Sequence, residues 1–91
     1  MKLTQPIELS GDVVAREVGS ETMLLDLASG TYFGLDEVGG RFWQMLEDGK
    51  SGSEARDALL EEYDVEADEL DRDLETLLAE LAANGLVSAA S

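Results

Sequence analysis

The chain has 91 residues, 44% hydrophobic and 30% charged with one proline, a composition that fits one compact domain rather than a disordered tail. Twenty-one Asp and Glu against six Lys and Arg leave a net charge of −15, which repels phosphate backbones and anionic lipid and argues against nucleic acid or a membrane surface as partner. With neither cysteine nor histidine, disulfides, thiolate ligands and the commonest metal ligand and general base are excluded, and most enzyme classes with them.

The N-terminal stretch has neither a basic start nor a continuous apolar segment, and no run approaches about 18 apolar residues, so neither a signal peptide nor a membrane span is expected. The expected location is the cytoplasm. Residues 1–12 have little periodicity and contain Pro6; they are expected to form an irregular arm, with Ile7 and Leu9 touching the core. The β-rich run Val13–Val18 ends at Gly19-Ser20, a two-residue turn signal leading into a second strand over 22–27. Met23, Leu25 and Leu27 alternate along that strand, Ser29-Gly30 interrupts it, and Thr31, Phe33 and Leu35 alternate along a third, Thr31–Leu35. Three antiparallel strands in sequence order result, and the third is a short edge. An unpaired edge invites an extended peptide.

Asp36 is expected to cap a first helix over 36–47, with Val38, Phe42, Met45 and Leu46 on its buried stripe and Trp43 beside it. Ser51 and Glu54 have the spacing of a capping box and start a second helix running to about residue 63. Its apolar side, Ala55, Ala58, Leu59 and Tyr63, is narrow. The third helix, over 66–83, carries Leu70, Leu74, Leu77, Leu78 and Leu81, and Asn84-Gly85 ends it, letting Leu86 and Val87 fold back on the last turn. The order of elements is therefore βββααα in a single domain spanning 1–91.

Leucines at helical spacing are ordinarily core, but a domain this small cannot cover every side of a long helix. Leu70, Leu74 and Leu77 are the candidates for lining an open groove, whereas Leu78 and Leu81 are expected to stay buried. Alanine at Leu74 is then expected to weaken ligand binding more than folding. Tyr32 and Phe33 point to opposite faces of their strand; Phe33 is assigned to the core side. Tyr32 is either a ligand contact or the donor of a structural hydrogen bond, and Gly34 marks either a bend or a close approach by another backbone. The acidic series Asp68, Glu69, Asp71, Asp73, Glu75 lacks the turn glycine and spacing of a calcium loop and reads as a solvated helical face. Within it Asp73, next to Leu74, is the candidate contact for a basic group on a ligand. Gly39-Gly40 has no following lysine and gives no phosphate loop, and no serine stands in the context of a phosphopantetheine carrier. No catalytic constellation, metal site or cofactor site is expected.

The segment LLDLASGTYFGLDEVGGRFWQML, the helix beginning SGSEARDALLEEYDV and the ending DLETLLAELAANGLV together resemble the PqqD-like family of peptide-recognition proteins in ribosomal peptide modification. The resemblance covers about residues 13–87. It implies a winged helix-turn-helix of α+β class, and a leader segment of a precursor peptide added as a fourth, antiparallel strand on the third strand and pressed against the third helix. On this chain the implied leader-binding residues are Thr31, Tyr32, Phe33, Gly34 and Leu35, with Leu70, Asp73, Leu74 and Leu77 opposite. Where a family pattern often has Asn, this chain has Asp36, which keeps the capping role. Short free-standing members look like the recognition subunits of lasso peptide pathways, which hand the precursor to a separate leader protease; partners of radical enzymes in other peptide pathways are similar. The implied protein is a non-catalytic adaptor. Its rivals are a DNA-binding winged helix, disfavoured because the third helix offers only Arg72 to phosphates, and a structural or dimerisation module using the same edge strand.

Overall fold

The computed structural model describes residues 1–89; the last two residues of the expected 1–91 span lie outside the described residues. In chain order the elements are β1 (Ile7–Leu9), β2 (Val13–Val18), β3 (Glu21–Asp26), β4 (Thr31–Leu35), α1 (Glu37–Glu47), α2 (Gly52–Glu62), α3 (Ala67–Ala83) and β5 (Val87–Ala89). The architecture is α+β, with an antiparallel meander β2-β3-β4 ahead of three helices.

Two hairpins build the meander. The first closes through Gly19-Ser20 with Val18 opposite Glu21, and the positive φ of 66° at Gly19 supplies the first turn position that a two-residue hairpin of this kind requires. The second turn is held by Asp26: its carboxylate accepts from the Ala28 amide at 3.1 Å and the Ser29 hydroxyl at 2.9 Å, and its carbonyl accepts from the Gly30 amide at 2.7 Å. Alternation leaves the buried face of β3 open, and the structure decides it. Thr22, Leu24 and Asp26 face the helices, whereas Met23 and Leu25 are half-buried on the outer face and Leu27 lies beyond the strand, exposed. The two faces of a strand are equivalent by alternation alone, and a lone leucine between two polar residues hid the inner one.

Residues 7–9, expected within an irregular arm, form β1 and pair antiparallel with β5, Leu9 opposite Val87. Ile7 and Leu9 do pack against the core, as expected. Leu3 is buried, and its carbonyl lies so close to Gly52 that a Cβ there would collide with it. The N-terminal stretch is therefore sewn onto the helical half.

Helices α1 and α2 start where their caps predict. Asp36 accepts from the Gly39 amide at 2.8 Å, and Ser51 and Glu54 exchange both bonds of the capping box. At the end of α3 the Leu86 amide reaches the Leu81 carbonyl and the Gly85 amide that of Ala82, with Gly85 at φ 76°, a Schellman closure that buries Leu86 and Val87. Phe42, Trp43, Met45, Leu59, Leu78 and Leu81 form the centre of the core with Leu24. Trp43, expected beside the stripe of α1, lies inside it, and its indole Nε1 has no hydrogen-bond partner among the described residues. Helix α1 sits directly on the sheet because Gly40 has no Cβ to meet the Thr22 side chain.

Candidate functional site

Among the described residues strand β4 pairs only with β3, so its far side is a sheet edge. The ladder decides which of its backbone groups face outward. The Leu27 amide donates to the Asp12 carbonyl, and Val18 and Glu21 close a two-residue hairpin, so odd-numbered residues of β3 bond toward β2 and even-numbered ones toward β4. Their partners Phe33 and Leu35 spend their N–H and C=O groups on β3. Tyr32 and Gly34 are left presenting theirs to the open edge.

Beside this edge runs a groove of about 440 Å³ between β4, the start of α1 and α3, lined by Phe33, Gly34, Leu35, Asp36, Val38, Gly39, Val65, Glu69, Leu70, Asp73, Leu74, Leu77 and Glu80. Its floor is apolar. Leu35, Leu70 and Leu74 are buried, whereas Phe33, Val38 and Leu77 are half-buried and keep surface free. Gly39 lets Leu77 approach α1, since a Cβ there would stand 3.4 Å from Leu77 Cδ2 and 3.2 Å from the capping oxygen of Asp36.

Seven of the nine residues singled out from the sequence, Phe33, Gly34, Leu35, Leu70, Asp73, Leu74 and Leu77, come together in this groove. Thr31 and Tyr32 do not line it. Thr31 is an exposed residue at the turn, where its amide donates to Ser29 Oγ at 3.3 Å. Tyr32 pairs with Leu25, points away from α3 and is 66% exposed. Its contribution to the edge is its backbone, and its side chain makes no hydrogen bond among those of the described residues. Leu74, at 2% exposure, belongs to the core as well as to the floor. Its burial ties the effect of its truncation to folding as well as to binding. Leu78 and Leu81 are buried as expected.

Six lining residues, Asp36, Val38, Gly39, Val65, Glu69 and Glu80, were not among the candidates. Glu69 lies four residues before Asp73 and Glu80 seven after it, the spacing that keeps side chains on one helix face. That periodicity is the signal that finds them. Val65, 39% exposed in the connection before α3, carries no such mark.

Two arginines of the helical layer are engaged in ion pairs. Arg56 bonds Asp71 through two guanidinium nitrogens at 2.6 and 3.1 Å, which holds that carboxyl below its ordinary range, and Arg41 does the same to Glu62 at 2.9 and 3.1 Å. Neither arginine reaches the groove. The groove thus combines an open strand edge, an apolar floor and an acidic lip.

The family model for "Coenzyme PQQ synthesis protein D (PqqD)" matches residues 21–87. A structure described as "TbiB1 in Complex with the TbiA(beta) Leader Peptide" is 42% identical, covering 92% of this chain and 98% of that one with a TM-score of 0.83. A second, "Lasso peptide synthetase B1 complexed with the leader peptide", is 29% identical over 91% of this chain and 98% of that one, with a TM-score of 0.78. No match was found among curated proteins.

Proposed function

This chain belongs to the PqqD family, and from that premise we propose that it is a non-catalytic adaptor that binds the leader of a ribosomally made precursor peptide and presents it to a leader protease or other modifying enzyme. The observation that carries this reading is the unpaired edge of β4, with the outward backbone groups of Tyr32 and Gly34, running beside a leucine-floored groove against α3. A leader strand added there hydrogen-bonds to those two residues and turns every second side chain onto Phe33, Val38 and Leu77. The similarity to lasso peptide synthetase B1, and to a second protein likewise solved with a leader peptide, supports a lasso peptide pathway rather than one built on a radical enzyme.

The sheet with α2 and α3 is read as a winged helix-turn-helix put to peptide binding. Sheet and helices both contribute to the groove, so the whole chain acts as one unit. Among the described residues no helix is long and apolar enough to cross a membrane, and a cytoplasmic place fits a protein acting on newly made precursor.

Amide NMR titration with the leader encoded beside this protein tests the reading. Shifts concentrated in Thr31–Leu35, Val65 and the groove face of α3 are expected. An authentic leader that moves none of them would refute it.

A further inference from the structure

The lip of the groove is more acidic than the fold requires. Asp36, Glu69, Asp73 and Glu80 line it, and neither lysine nor arginine does. Every ion pair among the described residues lies elsewhere: Arg41 serves Glu62, and Arg56 serves Asp57 and Asp71. Arg72 is next to Asp73 in sequence but turned about 100° around the helix.

Folding alone does not account for this placement. Glu69, in the first turn of α3, is favoured by the helix dipole, but Glu80 lies in the last turn, where a negative charge is unfavourable. Glu69 and Asp73 are like charges four residues apart, a repulsive spacing. Such costs are relieved by a positive ligand.

Resting on the leader-binding reading, we propose that the leaders this groove takes are cationic, carrying Lys or Arg on the side of the added strand that faces α3, where their charged ends meet Glu69, Asp73 and Glu80. The spacings agree. Four helical residues advance about 6 Å, close to the roughly 6.7 Å between alternate residues of an extended strand, so cations two apart on the leader reach Glu69 and Asp73 together. Lysine and arginine suit the site doubly, because their methylene stems lie on the leucine floor while their heads reach the exposed carboxylates at the lip. The net charge of −15 adds long-range attraction for the same ligand.

The test measures binding of the fluorescently labelled leader encoded beside this protein, and of a version with its Lys and Arg changed to Gln, to the native chain and to a Glu69→Gln, Asp73→Asn, Glu80→Gln variant. In low salt the variant is expected to bind the native leader roughly tenfold more weakly, since each exposed pair contributes a few-fold, and the gap narrows as salt rises past about 0.3 M. Its melting temperature is expected to equal or exceed that of the native chain, which separates lost charge from lost fold. The Gln leader is expected to bind both proteins alike. Tight binding of the native leader that ignores both salt and the three substitutions, or a bound segment without Lys or Arg, overturns the cationic inference and leaves the adaptor reading standing. Failure of the authentic leader to bind at any salt overturns both.

Discussion

Gly34→Pro separates strand addition from simple occupation of the groove. The ladder parity places the Gly34 amide on the open edge and that of Phe33 on the bond to β3. Proline lacks the amide donor and is tolerated on an edge strand where that donor faces solvent. A substituent at Gly34 meets only Met23 Sδ, at 3.5 Å, an ordinary contact, and the glycine has no positive φ. The fold is therefore expected to survive, with a change within about 1 kcal/mol as the reduced freedom of the unfolded chain offsets local adjustment. Binding loses one backbone hydrogen bond, about 0.5–1.5 kcal/mol net, and strands a leader carbonyl that costs about 1–3 kcal/mol more. Together these give roughly 10- to 1000-fold weaker affinity. Gly34→Ala, which keeps the amide, is expected to bind normally, and Phe33→Pro to damage the fold itself. Thermal melting read beside fluorescence anisotropy of a labelled leader checks all three. Native affinity in a folded Gly34→Pro protein would refute strand addition; an unfolded Gly34→Pro protein beside a stable Phe33→Pro one would refute the parity.

Leu74→Ala is expected to lose about 2–5 kcal/mol by urea unfolding, a large share of the roughly 5 kcal/mol expected of a domain this small. Val65→Ala, at a partly exposed groove position, is expected to change stability by less than about 0.5 kcal/mol while weakening leader binding a few-fold in the same anisotropy assay. Gly40→Ala drives a methyl group into the Thr22 side chain and is expected to destabilise by about 1–3 kcal/mol, with partial rescue by Thr22→Ala in a double-variant unfolding experiment. Arg56→Ala is expected to lower the melting temperature at neutral pH. Hydrogen bonds from Arg56 depress the Asp71 carboxyl in the folded state, so the contribution of the pair is present above the ordinary Asp pKa, near 3.9, and is lost as pH falls through the lower folded value. Melts from pH 7 to below 3 should show the difference from native closing, and a gap that persists in acid would assign Arg56 a role other than the ion pair.

Local rules made much of this protein legible. Asp36, the Ser51–Glu54 box, Gly19 and Asn84-Gly85 each satisfy or redirect backbone groups within a few residues of themselves, so three helices and three strands follow from neighbours in the chain. The leucine spacing of α3 likewise located one wall of the groove, and the strand motif the other. The pairing of β1 with β5 lay beyond such rules, because its partners are separated by nearly the whole chain and neither three-residue strand has a pattern of its own. Nor did alternation choose between the faces of β3; Leu24, not Met23 and Leu25, was drawn inward by the helices that pack above it. Tyr32, Leu74 and Val65 make the same point at the site. Residue type marked Tyr32 and passed over Val65, yet the side chain of the first turns away and the second stands open in the groove, while Leu74 serves core and groove floor at once. Sequence determined the three helices and the β2–β4 meander with its edge strand, since those depend on short-range hydrogen bonding and periodicity. Tertiary packing alone decided which apolar and acidic side chains remain accessible, since exposure depends on what the rest of the chain has already covered.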